Sequence, residues 1–474
     1  MRRILELEQA LEVTRAELER TRAAAAEAVE RTHRQYRREL VPYASASVPW
    51  QGTGPGIGQD RIQWGRLVRR IRFALVVAVD VAVVGGGLQG LVLLRELTSA
   101  GYTCVLVTKA DLGGGQTLHS HGLLNSGTGL VTGALQAELH EFTLPYLRHL
   151  GVAVYGEDRS FLLLPDQVVA QLTPAWGANQ YRPEITDSSS LPPGFDPIAP
   201  VYRVHGFNVD KRGLLSALSA GLERLLLRGE VIEASDTIRV RTHPSGETIS
   251  LEPRAVVVAA GCGTTRLLRT AFGIDEDVLD RIAYTKLHMI CLRGPRVVLP
   301  EIGTLVSPQL MIVGHPSPGH FASQDQVVTW YVTPAIAAPP RYVEAPDDAV
   351  ADVEAPLVAS AIEALVRLVP SLSRDDTPVE ATVFAGYKQD FEGQPTRRAC
   401  EVVDRERNVI MALPSVLANA VPNAMEVLSL IHHRLAGSAG APEPRFDGGV
   451  AVGQPNEDVD PKRWTNWTDF AHAY

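Results

Sequence analysis

Cysteine is scarce in this 474-residue chain: Cys104, Cys262, Cys291 and Cys400 are scattered, with no C-x-x-C spacing. That excludes a zinc ribbon and thioredoxin-like redox chemistry, and it predicts reduced, buried thiols. Excess positive charge is missing too. The 45 Lys+Arg against 54 Asp+Glu leave a formal net charge of -9 and a pI near 5.8. No general attraction to nucleic acid follows from that balance. No apolar run is long enough to span a membrane; the best, Phe73 to Val84, is short and carries Asp80. The opening MRRILELEQALE puts charges where a signal peptide has its apolar stretch, so the expectation is a cytoplasmic protein without stable membrane insertion. No lysine of a phosphate-binding loop follows any glycine turn, and no G-x-S-x-G elbow occurs, which removes kinase and hydrolase chemistry. His315 and His320 are close in sequence but have no third ligand nearby, so no metal site is expected.

What the chain has is enough apolar content, 45%, to bury two or three folding units. Residues 1–40 read as one charged helical extension. Ile4, Leu7, Leu11 and Leu18 recur at heptad spacing, while Thr14, Thr21, Ala25 and Ala28 fill the later seam positions. A weak homodimeric or partner-binding coiled coil and a solvated lone helix both fit. Residues 41–78 read as a linker, rich in Pro, Gly and Ser as far as residue 65 and then basic (Arg66, Arg69, Arg70, Arg72).

From Val79 the texture becomes α/β. VDVAVV is a buried strand, LQGLVLLRELTSAG a helix closed by Gly101, and TCVLVT a second buried strand. Gly85-x-Gly87-x-x-Gly90, with Leu88 and Gln89 at the intervening positions, sits on that strand-to-helix junction. The first glycine permits the tight turn and the second lets a pyrophosphate approach the backbone. The third brings helix and strand together, with the positive end of the helix dipole at the phosphates. An acid is expected at the end of the second strand to hold the adenosine ribose; Thr108 stands there, a weaker acceptor, followed by Lys109, which could meet a phosphate. Further on, LLSALSAGLERLLLRG is helical, IRVRTHPSGETISLE is a hairpin around Pro244-Ser245-Gly246, and RAVVVAAG is another buried strand. Residues 276–384 mix strands with Pro-rich loops and one helix, APLVASAIEALVRLV.

The stretch DLGGGQTLHSHGLLNSG, following the second strand, resembles the D-amino-acid oxidase / glycerol-3-phosphate dehydrogenase superfamily of flavoproteins. Locally, His119-Ser120-His121-Gly122-Leu123-Leu124-Asn125-Ser126-Gly127 is similar in layout to L-2-hydroxyglutarate oxidases, and Gly115 to Leu123 to dimethylglycine and sarcosine dehydrogenases. The resemblance covers roughly residues 79–435 and implies FAD as cofactor. It places Gln116, Thr117, His119, Gly122 and Leu123 along the pyrophosphate and flavin, and Val231 at the adenine. Ala260 and Gly261 would back the cofactor, and the helix start at Ala418, Asn419 and Ala420 would face the flavin. Lys388 stands where the family often has an arginine for the substrate carboxylate. His119 and His121 are the candidates for a general base, His119 also for a covalent tether; both can equally orient the loop. Departures are Asn125 for a second histidine and the absence of a glycine-rich turn before the last helix.

The fold expected is α/β: a Rossmann-like, glutathione-reductase-like FAD-binding domain (79–135, 205–275, 385–440) with an interleaved α+β substrate domain (136–204, 276–384), an N-terminal helical extension and a C-terminal tail (441–474). The function expected is hydride transfer to FAD from a small-molecule substrate, an amine or 2-hydroxy acid. A catalytically degenerate binding module and a flavin monooxygenase-like enzyme are the alternatives; no second glycine fingerprint for a nicotinamide nucleotide is present. His205 reads as structural. His288 or Lys286 could face the pocket, and Trp330 and Tyr331 line it or pack its sheet.

Overall fold

The computed structural model describes residues 76–124, 137–176, 183–275, 277–316, 327–334, 341–342, 352–374, 377–391, 399–414, 416–435, 450–452 and 464–474. The helix expected over 1–40, with its dimer contact, the linker up to residue 75, Asn125 and His320 lie outside the described residues.

Nine residues, VVAVDVAVV, form β1 (Val76–Val84), buried without alternation from Val79 onwards. Valine suits the pleated backbone, and burial on both faces marks a central parallel strand. Helix α1 (Leu88–Ser99) follows, then β2 (Cys104–Thr108). The chain continues through β3 (Val154–Tyr155), β4 (Ser160–Leu163), β5 (Glu184–Thr186), β6 (Val201–Val204) and β7 (Asn208–Val209) to α2 (Lys211–Ser219). Next come β8 (Leu226–Ala234), β9 (Ile238–Thr242) and β10 (Thr248–Val258). A run of strands follows: β11 (Ile282–Pro295), β12 (Thr304–Val306), β13 (Leu310–Pro316), β14 (Val327–Pro334) and β15 (Arg341–Tyr342). The rest is α3 (Ala355–Leu368), β16 (Glu380–Phe391), β17 (Ala399–Asp404), β18 (Val409–Leu413), α4 (Ala420–Leu435), β19 (Thr465–Asn466) and α5 (Trp467–Ala473).

The first sheet has β1 between β2 and β10, all parallel, in register Val84 with Val107 and with Val258. Parallel β8 extends it beyond β2 and parallel β18 beyond β10. β9 runs antiparallel to both β8 and β10 and ties their far ends together. The hairpin read at Pro244-Ser245-Gly246 is present, and its second strand continues without a break into the buried RAVVV run as β10. The helix read through Gly229 is corrected. It stops at Ser219, and Leu226–Gly229 open β8, because pairing with β2 (Leu106 with Leu226) overrides the helical preference of leucine.

The second sheet has ten strands, in order β19-β16-β11-β14-β13-β12-β4-β6-β5, with β15 also on β11. One face carries Ile290, Leu292, Ile312, Trp330 and Val332 into a core with Val358 and Leu365 of α3. Each large aliphatic side chain fully buried there contributes roughly 1.5–3 kcal/mol. α3 has Pro356 in its first turn and is followed by Pro370, which cannot continue it. The opposite face presents Met289, Cys291, Val313, Tyr331 and Phe384, packed with Leu123. That second face positions the site.

Two expected boundaries shift. β16 runs through residue 385 and stays in the ten-stranded sheet as far as Phe391. Part of the expected C-terminal tail is folded: Thr465 pairs with Ala381, and the fully buried Trp467 donates its indole N–H to the Leu372 carbonyl at 2.7 Å. No helix among the described residues is long and apolar enough to cross a membrane. All four cysteines are free thiols, and burial pushes Cys104 and Cys262 up to about 12.

Candidate cofactor and substrate site

The glycine turn adopts the geometry its spacing predicts. Gly85 has φ +127°, and a Cβ there would collide with the Ala259 carbonyl at the end of β10. A Cβ on Gly90 would strike the carbonyl oxygen of Gly85, so α1 packs on its own turn. Gly87 is the N-cap of α1, with no side-chain cap and no acid in the first turn, which leaves the positive end of a twelve-residue helix open to an anion. A Cβ on Gly87 would sit 3.3 Å from Thr117 Oγ1, and that hydroxyl accepts the Leu88 N–H at 3.0 Å. Gln116 packs beside Gly261, with its Oε1 2.7 Å from where a Cβ on that glycine would lie. Thus Gly85, Gly87, Leu88, Gln116, Thr117, Ala260 and Gly261 come together as one backbone-lined cradle.

The N-terminus of α4 lies against α1. Asn423 Nδ2 donates to Gln89 Oε1 at 3.2 Å, while Gln89 Nε2 and Asn423 Oδ1 are buried without a hydrogen-bond partner. Asn419 and Ala420 are each 1% exposed at the start of the same helix. An uncapped helix N-terminus, closely packed glycines and unsatisfied buried amides suit the phosphates and ring system of a dinucleotide.

At the ribose end the residues differ from expectation. Thr108 is buried, and its hydroxyl donates to the Ala110 carbonyl at 2.7 Å, leaving lone pairs as its only free function. Lys109 is exposed and forms an ion pair with Glu230 at 2.9 Å. The Val231 side chain is packed in the core of the first sheet.

The segment from Leu118 to Leu124 runs between the cradle and the ten-stranded sheet. Lys211 Nζ, at the first position of α2, donates to the carbonyls of Leu118 (2.9 Å) and Ser120 (2.6 Å) and lies 4.3 Å from the centre of the Tyr331 ring. His315 Nε2 is 2.6 Å from the His121 carbonyl, and Tyr155 Oη is 2.6 Å from His315 Nδ1. A carbonyl only accepts, so Nε2 carries the His315 proton and Tyr155 donates to Nδ1. The Gly122 carbonyl accepts from Val209 N, and Leu124 N donates to the Phe207 carbonyl at 2.8 Å. Leu123 packs among Met289, Tyr331 and Phe384.

The two histidines of this segment separate. Burial, then Lys211 and Lys388, push His121 down to about 3. Its Nδ1 accepts the Leu123 N–H at 3.3 Å, so the ring is neutral with that lone pair occupied, a poor general base. His119 ends the short helical turn Gln116–His119, half-buried, its ring 6.0 Å from that of Phe384. Lys388 shares a face of β16 with Phe384, and its Nζ is 2.7 Å from Asp390 Oδ1.

Other candidates resolve plainly. Neither Lys286 nor His288 faces this site. Both lie on the opposite face of β11, where Lys286 pairs with Glu354 at 3.0 Å and His288 Nε2 accepts the Glu354 N–H. Trp330 packs on the α3 side, and Tyr331 faces the site. Lys211, His315 and Tyr155 were missed from the sequence. One signal was available: Lys211 begins the stripe Leu214, Leu215, Leu218 at i+3, i+4 and i+7, which puts a lysine on the buried face of a helix.

A family model described as DAO, FAD dependent oxidoreductase, matches residues 80–413. A probable FAD-dependent oxidoreductase, PA4991, from Pseudomonas aeruginosa is 28% identical over 321 residues, 62% of this chain and 75% of its own length. Its crystal structure superposes with a TM-score of 0.61 at 23% identity, covering 81% of this chain and 98% of that one. Glycine oxidase from Geobacillus kaustophilus gives a TM-score of 0.58 at 18% identity, covering 78% of this chain and 99% of that one. L-alpha-glycerophosphate oxidase from Mycoplasma pneumoniae, with FAD bound, gives 0.57 at 15% identity, covering 80% and 98%. The likeness to L-2-hydroxyglutarate oxidases rests on the loop sequence alone.

Proposed function

The chain belongs to the DAO family of FAD-dependent oxidoreductases, and from that premise we propose that it oxidises a small amine or 2-hydroxy acid bearing a carboxylate that Lys388 meets. Family membership supports an enzyme over a non-catalytic assembly module. The observation that carries the substrate proposal is the position of Lys388. It sits on the face of β16 turned to the 118–124 segment, and its charge reaches His121. Asp390, 2.7 Å from its Nζ, holds the ammonium in place on that face.

We propose that the cradle of Gly85, Gly87, Thr117, Gln116 and Gly261 holds the FAD phosphates, and that the start of α4 at Asn419 and Ala420 faces its ring system. The sheet around β1 is then the cofactor half and the ten-stranded sheet the substrate half. When bound, FAD supplies the acceptor for a hydride leaving the substrate carbon. Lys388 orients the substrate through its carboxylate, and Phe384, Leu123 and Tyr331 exclude water from the reacting carbon. His119 is the side chain proposed to take the N–H or O–H proton or to tether the cofactor, since the lone pair of His121 is occupied. The test is an anaerobic screen of amino acids, N-substituted amines and 2-hydroxy acids, read as loss of the flavin absorbance near ~450 nm. The Lys388→Met variant should raise KM for the substrate found by tenfold or more while leaving the oxidised spectrum intact. A KM within twofold of wild type refutes the role given to Lys388.

A further inference from the structure

A buried lysine at the first position of a helix is costly on two counts: its ammonium loses water, and it faces the positive end of the helix dipole. Lys211 is 5% exposed and begins α2 directly after the N-cap Asp210, whose carboxylate accepts the Arg212 N–H at 3.1 Å. Its amine reaches across 93 residues of sequence to the Leu118 carbonyl, and to that of Ser120, against the Tyr331 ring. The next carbonyl, that of His121, is taken by His315, itself held by Tyr155. The carbonyl of Gly122 is taken by Val209.

Four carbonyls of one short segment are therefore gathered from behind, by groups on α2, β13 and β7. Just ahead of these carbonyls come the two side chains that meet the cradle, Gln116 and Thr117, and between the first two carbonyls lies His119, whose ring is 6.0 Å from that of Phe384. Fixing a carbonyl fixes the whole planar peptide unit it belongs to, so four anchored carbonyls leave the segment few φ/ψ alternatives.

We infer that Lys211, seconded by His315, is the positioning residue of the cofactor loop: it latches the carbonyls of Leu118 and Ser120 so that Gln116, Thr117 and His119 are held toward FAD. The inference rests on FAD occupying the glycine cradle and is independent of any substrate or of Lys388. Arginine at 211 keeps the charge and donors in a bulkier, planar form; methionine keeps the volume and removes both.

The experiment is hydrogen exchange of the cofactor-free full chain, followed by FAD titration, for wild type, Lys211→Met, Lys211→Arg and, as a control for general destabilisation, Leu365→Ala in the α3 core. In Lys211→Met, exchange across residues 118–124 accelerates tenfold or more and the Kd for FAD rises tenfold or more. Lys211→Arg recovers most of both, and Leu365→Ala lowers the Tm with the Kd unchanged within twofold. Unchanged exchange at 118–124 in Lys211→Met overturns the latch. Accelerated exchange with an unchanged Kd overturns its role toward the cofactor. If Lys211→Met does not fold, Lys211→Gln, which keeps a donor without the charge, is read by the same two measurements. Failure to find an oxidised substrate would sink the proposed function and leave this result standing.

Discussion

Substituting Gly90 by alanine sets two effects against each other, and the structure decides between them. Alanine inside a helix is favoured over glycine by about 1 kcal/mol, so an open position would become more stable. At Gly90, however, the added Cβ meets the carbonyl oxygen of Gly85. That oxygen belongs to backbone already fixed, since Gly85 N donates to the Val107 carbonyl at 2.9 Å and its φ of +127° leaves few alternatives. Overpacking against movable side chains costs roughly 1–3 kcal/mol, and a backbone atom yields less, so the upper end of that range applies. The net expectation is a loss of about 2 kcal/mol, or a fall in Tm of about 4 °C for a large domain. Thermal unfolding of the cofactor-free Gly90→Ala protein, beside Gly87→Ala, is the assay. At Gly87 the new methyl would lie 3.3 Å from a hydroxyl that can turn aside, so stability should hold while FAD affinity falls. A Gly90→Ala protein as stable as wild type, or more so, would refute the close helix-to-turn packing.

Acid should destabilise the folded chain well before the carboxylates titrate. Burial first, then Lys211, hold both His121 and His315 down to about 3, against an ordinary value of 6.5. Between those values the unfolded chain binds a proton on each ring and the folded one does not, so stability rises with pH across that window and is lost as pH falls below 6.5. At pH 5 the two together cost about 4 kcal/mol relative to neutral pH. Urea unfolding between pH 7 and 5 measures it, and a flat profile would contradict the buried neutral pair. At Asp80, burial would raise the carboxyl, but bonds from Thr103 N (2.9 Å), Thr103 Oγ1 (2.7 Å) and Arg254 Nη1 (2.9 Å) outweigh it and lower its pKa. Its contribution is therefore present above the ordinary carboxylate value of 3.8 and lost as pH falls through the lowered one. Asp80→Ala strands those donors and should cost about 3 kcal/mol at neutral pH. A denaturation midpoint unchanged from wild type would mean the network contributes nothing.

Local pattern was enough for the first strand, turn and helix. Strand, glycine turn and helix from Val76 to Ser99 are set by valine-rich continuity, glycines at positions that only glycine can fill, and leucines at helical spacing. These are interactions among near neighbours, and so are legible one residue after another. The boundary of α2 was not legible, because Leu226 and Leu227 become strand only when β2 lies beside them. Nor was the folded C-terminus, where Trp467 is buried by pairing with a strand far earlier in the chain.

The site divides along the same line. By itself the sequence determined that a dinucleotide turn exists, and that Gln116, Thr117 and His119 follow it. Only the tertiary structure decided that the His121 Nδ1 lone pair is occupied, which way Lys286 and His288 face, and that Lys211 and His315 meet the carbonyls of the 118–121 segment. Those outcomes depend on contacts between groups some 90 to 200 residues apart, such as Lys211 with Leu118 and His315 with His121. Burial and neighbouring charge, which set a proton affinity, exist only once those groups have met.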